Sequence, residues 1–136
     1  MPTASRTSPL AALHVLLIDD EQGFVDVLTK RLRRRDVAVT SVLSGKEGVR
    51  ALRGRSFDVA VLDLKMEDLD GIEVLKIFKI LDPAMPVIIL TGHGSEQAAR
   101  EGLDLGAADY LMKPCDLDEL LNKISALAHP PGTQAA

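Results

Sequence analysis

The chain has 136 residues, the length of one compact domain, and 46% of them are hydrophobic, enough to fill a core. A formal net charge of -4 argues against nucleic acid as a direct partner of this domain, and 3% aromatics with no Trp exclude a stacking platform for single strands. No apolar run approaches the ~20 residues that span a bilayer, Met1 to Pro9 lacks an export signal, and the single Cys115 can form no internal disulfide, so a cytoplasmic protein that is not a membrane partner is expected.

Met1 to Ala11 carries Pro, Ser and Thr without apolar periodicity and reads as a flexible leader; residues 12–129 form the domain, and 130–136 read as a disordered tail or truncated linker. His14 to Ile18 is a buried strand ending on Asp19-Asp20-Glu21. Phe24, Val27, Leu28 and Leu32 then recur at helical spacing, and Arg31, Arg33, Arg34 and Arg35 crowd the end of that helix, where cations complement its dipole. This basic run reads as a solvated helix end, with a partner-docking patch as the alternative. Val37 to Leu43 alternates loosely and suits an edge strand. Ser44 and Glu47 form a capping-box pair for a second helix through Leu52. Asp58 to Leu62 is a central strand buried on both faces, ending on Asp63. After an Asp-rich loop closed by Gly71, a third helix carries Ile72, Leu75 and Phe78 on one face and stops at Asp82-Pro83. Pro86 to Leu90 is a fourth strand, ending on Thr91-Gly92. Ser95 is the expected cap of a fourth helix that offers only Ala98, Ala99 and Leu103 for packing, so it is the helix expected to shift most easily. Ala108 to Met112 is the fifth strand, ending on Lys113-Pro114. Asp116 and Glu119 cap a last helix striped by Leu117, Leu120, Leu121, Ile124 and Leu127. Five alternating strand–helix units predict an α/β fold, a parallel sheet with helices on both faces.

Ligands collect at the carboxyl ends of such strands. Asp19 and Asp20, Asp63, Thr91 and Lys113 all sit there, so their side chains can share one crevice. Clustered carboxylates repel one another unless a cation lies among them, and Mg²⁺ favours oxygen ligands. An ammonium and a hydroxyl nearby can engage phosphate oxygens. Carboxylates are known nucleophiles toward phosphorus. Taken singly, each residue has a plain structural reading: a helix cap for Asp19-Asp20, a turn for Asp63, a solvated charge for Lys113. Together they point to phosphoryl transfer onto Asp63, with fixed positive groups stabilising the transferred charge.

Asp19-Asp20, Asp63-Leu64-Lys65-Met66, Asp70-Gly71, Thr91-Gly92 and Lys113-Pro114, in that order at successive strand ends, resemble the receiver domain of two-component response regulators; the resemblance covers His14 to Leu127. It implies a flavodoxin-like, doubly wound five-stranded parallel sheet of order 2-1-3-4-5 with five helices. It implies that Asp63 is the phosphoacceptor and that Mg²⁺ is held by Asp20, Asp63 and the backbone carbonyl of Lys65, with Asp19 acting through water. Lys113 would pair with the phosphoryl group, Thr91 would swing to bond it, and Tyr110 would be an aromatic switch. The Lys113–Pro114 bond would be cis. The implied phosphodonor is a sensor histidine kinase or histidine phosphotransfer protein, and a homodimer through the fourth helix, fifth strand and fifth helix is possible. Activity would be confined to self-directed phosphotransfer and autodephosphorylation, so no separate enzyme substrate is expected.

There are departures from the family pattern. Glu67 stands where proline usually follows the methionine. Lys65 and His93, each two residues past a site residue, are the positions expected to tune the lifetime of the phosphorylated form. Two other readings are a magnesium-dependent phosphatase acting on a small molecule, disfavoured because no insertion builds a substrate cap, and a degenerate receiver that only binds a partner. Cys115 reads as a packed residue, and His93 as a loop residue with no companion for a metal site.

Overall fold

The computed structural model describes residues 13–92 and 94–128. The expected leader and tail, His93 and His129 lie outside them. The described chain alternates β1 (His14–Ile18), α1 (Gln22–Arg34), β2 (Ala38–Val42), α2 (Gly45–Gly54), β3 (Val59–Asp63), α3 (Gly71–Leu81), β4 (Val87–Thr91), α4 (Glu96–Asp104), β5 (Asp109–Met112) and α5 (Leu117–Ala128). The strands form one parallel sheet of order β2-β1-β3-β4-β5, the flavodoxin-like order, with β2 at an edge as expected.

Strand alternation divides the core in two. Val15, Leu17, Val59, Val61, Ile88, Leu90 and Leu111 pack against Val25, Leu28 and Leu32 of α1 and Leu120, Leu121 and Ile124 of α5. Leu16, Ile18, Ala60, Leu62, Val87 and Ile89 pack on the other side against Leu52 of α2 and Ile72, Leu75 and Phe78 of α3. β3 and β4 are buried along their whole length because helices cover both faces.

Three local readings change. Val27 is 51% exposed, and Val25 takes its place in the buried stripe with Leu28, Thr29 and Leu32. Ser95 stands at the start of α4, but its hydroxyl makes no cap bond; its carbonyl accepts from the Ala99 amide at 2.9 Å. Leu103 is exposed, so α4 buries only Ala99 and Gly102. Gly102 matters here, since a Cβ on it would lie 2.2 Å from Cδ1 of Ile89. The small residues let α4 lie flush on β4 but give it little apolar area to hold it there.

The N-terminus of α2 is fully satisfied. The Ser44 hydroxyl accepts from the Glu47 amide at 3.2 Å, and the Glu47 carboxylate accepts in return from the Leu43 amide. The Gly45 and Lys46 amides donate instead to the carboxylate of Asp68, in the loop between β3 and α3, at 3.0 Å each. That loop ends at Gly71, where a Cβ would lie 2.4 Å from the Leu64 Cα. Only glycine lets the chain close there.

Candidate functional site

The crevice lies where the sheet order reverses, between β1 and β3. Ile18 pairs with Leu62, so the next residues, Asp19 and Asp63, stand side by side at the carboxyl ends of neighbouring strands. Alternation fixes their direction. Asp19 follows Val15 and Leu17, Asp63 follows Val59 and Val61, and Lys113 follows Leu111, all on the side facing α1 and α5. Asp20 completes the group: Asp19, Asp20 and Asp63 each offer a carboxylate oxygen, all within 4.8 Å of one another.

Asp19 and Asp63 are buried, and Asp20 is half-buried. Lys113 supplies the local cation, its Nζ 2.9 Å from Asp19 Oδ2 and 4.0 Å from Asp63 Oδ2. It also pairs with Glu21 and lies 4.5 Å over the Phe24 ring. Burial would lower the Lys113 pKa, but its hydrogen bonds to Glu21 and Asp19 and the charges of Asp19 and Asp63 outweigh that and raise it. Asp63 moves the other way. Burial, then the charge of Asp19, pushes its carboxyl up to about 6 against the pull of Lys113 and of the Lys65 amide, which donates to Asp63 Oδ1 at 3.3 Å. A carboxyl so displaced, beside a specific charge partner in a crevice, is a candidate functional group.

Thr91 takes the opposite parity. It follows Val87 and Ile89, which face α2 and α3, and its hydroxyl donates to the Leu111 carbonyl across a long 3.5 Å. Among the described residues it has no hydrogen bond to the carboxylates, so of the five side chains expected in one crevice four converge and Thr91 stays buried at the end of the adjacent strand. Lys65 is exposed at the mouth, and Tyr110 is 42% exposed on β5. The Lys113–Pro114 peptide bond is cis. His93 cannot be placed because it lies outside the described residues. Cys115 is half-buried, and burial raises its thiol pKa, the behaviour of a packed and inert residue.

Two participants escaped the sequence reading. Glu21 directly follows the Asp pair, and Phe24 is three residues on, on the same helical face; that spacing was the available signal. A cleft of about 590 Å³ opens beside the carboxylates, lined by Asp20, Lys65, Met66, Glu67, Ser95 and Ala98 among others. The donor set is all oxygen and carries more negative than positive charge, which fits a hard divalent cation. Among the described residues no helix is long and apolar enough to cross a membrane.

Comparison with known proteins agrees with this geometry. The family model described as the response regulator receiver domain matches residues 15–125. The transcriptional regulatory protein ZraR of Escherichia coli O157:H7 is 39% identical over 118 residues, which are 86% of this chain and 27% of that protein. The uncharacterized transcriptional regulatory protein YkoG of Bacillus subtilis is 36% identical over 121 residues, 89% of this chain and 53% of that protein. The chain thus spans about a quarter to a half of the length of these curated relatives. Among solved structures, a receiver domain protein from Clostridium thermocellum superimposes with a TM-score of 0.82 at 34% identity, covering 85% of this chain and 94% of that one. The receiver domain of a Francisella response regulator gives 0.79 at 34% identity, covering 85% and 96%. With this fold, this crevice and a match along nearly its whole length, the chain belongs to the receiver domain family of two-component response regulators.

Proposed function

We propose that this domain is a phosphorylation-dependent signalling switch whose phosphoacceptor is Asp63 and whose cofactor is Mg²⁺. Receiver domains of response regulators are phosphorylated by histidine kinases, and a sensor kinase or a histidine phosphotransfer protein is the donor proposed here. The observation that carries the reading is the convergence of the three aspartate carboxylates within 4.8 Å, with Lys113 4.0 Å from Asp63.

An Asp63 carboxylate oxygen forms a bond to phosphorus as the phosphorus–nitrogen bond of the donor's phosphohistidine breaks, and the electron pair returns to the imidazole. Asp20, Asp63 and the Lys65 carbonyl would hold Mg²⁺, with Asp19 acting through water, and the bound ion would supply positive charge to the transferred group. Lys113, already drawn to Asp63, provides a second positive group. Thr91 leaves the Leu111 carbonyl for a phosphoryl oxygen, since its present bond is long and cheaply given up. The new charge tilts an equilibrium between two conformations of the face made by α4, β5 with Tyr110, and α5. That face controls a partner, a second copy or an output domain; the relatives named transcriptional regulatory proteins make gene regulation the favoured output. Water hydrolyses the acyl phosphate and resets the switch, with Lys65 and His93 setting its lifetime. The activity is self-directed, without a separate substrate, and the protein works in the cytoplasm.

Intact mass after incubation with acetyl phosphate and Mg²⁺ tests this. The wild type gains one phosphoryl group; Asp63→Asn, or omission of Mg²⁺, abolishes the gain. A gain retained in Asp63→Asn refutes the assignment.

A further inference from the structure

We propose that Asp68 is a positioning residue that ties the Mg²⁺-binding loop to the N-terminus of α2. The inference rests on the Mg²⁺ reading above and concerns how the Lys65 carbonyl is held in place for the ion.

The loop from Leu64 to Asp70 is fastened at both ends. The Leu64 amide donates to Leu90, the Gly71 amide donates to the Leu64 carbonyl at 3.0 Å, and Asp70 caps α3 by accepting from the Ile72 amide at 2.9 Å. No proline between Asp63 and Gly71 stiffens the span. Its middle has few attachments. The Glu67 amide donates to Asp20 Oδ2 at 3.2 Å, but Asp20 is itself one of the acids of the crevice. Asp68 makes the only hydrogen bonds, among the described residues, that join Lys65–Leu69 to an element outside the crevice. It accepts from the Gly45 and Lys46 amides at 3.0 Å each, one per carboxylate oxygen.

This clamp is strong for a surface contact. Both bonds are charge-assisted, and the carboxylate meets the positive end of the helix dipole. Burial works against the charge, but the Gly45 and Lys46 amides hold the carboxyl below its ordinary value. Close approach is built in as well. A Cβ on Gly45 would lie 2.7 Å from Val74 Cγ2 and 3.2 Å from Leu69 Cβ, so the absent side chain is what admits the loop. α2 thereby acts as a rigid post. Freed from it, the Lys65 carbonyl would have to be ordered each time the ion binds, and groups that orient metal ligands weaken binding when removed.

The test separates clamp from cap. Ser44 caps the same helix end without touching the loop, so Ser44→Ala destabilises α2 while leaving the clamp intact. Mg²⁺ affinity is measured by titration calorimetry on the full chain, and amide hydrogen exchange follows Lys65 to Leu69. Asp68→Ala weakens Mg²⁺ binding roughly tenfold and speeds exchange in the loop. Ser44→Ala leaves both unchanged although its melting temperature falls. Asp68→Asn keeps one carbonyl acceptor and lies between, and it stands in for Asp68→Ala should that variant fail to fold. Equal Mg²⁺ affinities for the Asp68 variants and Ser44→Ala overturn the clamp. A wild type that binds no Mg²⁺ at millimolar concentration refutes the Mg²⁺ reading itself, and the clamp falls with it.

Discussion

Asp63→Asn should make this protein more stable while abolishing its phosphorylation. The wild-type carboxyl is raised from 3.8 to about 6, chiefly by burial and by Asp19. That displacement corresponds to roughly 3 kcal/mol of unfavourable charge at pH 7. That figure is already net of the attraction to Lys113, and screening by water at the crevice mouth reduces it further, leaving an expected gain of about 1–2 kcal/mol for the amide, or roughly 4–8 °C in melting temperature for a domain of this size. The pH dependence follows from the direction of the shift. Between about 4 and about 6 the folded state binds the proton that the unfolded state has released, so this group's contribution to stability falls as pH rises through that window and stays low above it. Urea or thermal unfolding from pH 4 to 8 in EDTA reads it: the two proteins converge near pH 4 and diverge by pH 7. Mg²⁺ at ten times its dissociation constant restores about 1.4 kcal/mol to the wild type and little to the variant. A variant no more stable than wild type at pH 7, or a gain as large at pH 4 as at pH 7, refutes the claim that charge crowding strains the crevice.

Two further substitutions probe the scaffold. Gly71→Ala places a methyl 2.4 Å from the Leu64 Cα and 2.8 Å from the Asp63 carbonyl, both backbone, so the loop must move; a loss of about 2–3 kcal/mol in urea unfolding is expected, together with reduced labelling by acetyl phosphate. Thr29→Val removes a hydroxyl on α1 that is buried without a hydrogen-bond partner among the described residues, and the same unfolding assay should show a gain of about 1–2 kcal/mol.

The strands and their polar ends were legible because two signals coincide there: a short apolar run and a charge or hydroxyl where it stops. Asp19, Asp63 and Lys113 needed only the parallel order to come together. Helix faces were harder. Phe24, Val27, Leu28 and Leu32 fit a stripe, yet Val25, Leu28, Thr29 and Leu32 fit the 3.6-residue period better, and the polar Thr29 hid the true face. Contacts made across the fold left no local trace. Asp68 looks like a turn residue in an acidic loop, and only the fold shows that its partners are the amides of Gly45 and Lys46. The pairing of Lys113 with Glu21 joins residues at opposite ends of the chain. Thr91 shows a subtler limit: its place at a strand end was plain, but the parity that turns its hydroxyl away from the carboxylates depends on which face its strand gives to which helices.

That parity gives the proposed switch its direction. Asp19, Asp63 and Lys113 lie on the side of α1 and α5, where Val25, Leu28, Leu32, Leu120, Leu121 and Ile124 form a well-filled layer that resists rearrangement. Thr91 lies on the other side, at the end of the strand on which α4 rests. There Ala99 and Gly102 are the buried residues of the helix, while Leu103 and the nearby Tyr110 and Met112 stand exposed. A shift of the Thr91 hydroxyl therefore meets little resistance from packing, whereas the same displacement among the α1 and α5 side chains would open a cavity at a cost of several kcal/mol. In the proposed switch, charge gathered on the α1 and α5 side would thus be passed, through one hydroxyl, to the loosely packed α4 side. Filling the contact beneath α4 would oppose the switch without altering a single residue of the crevice.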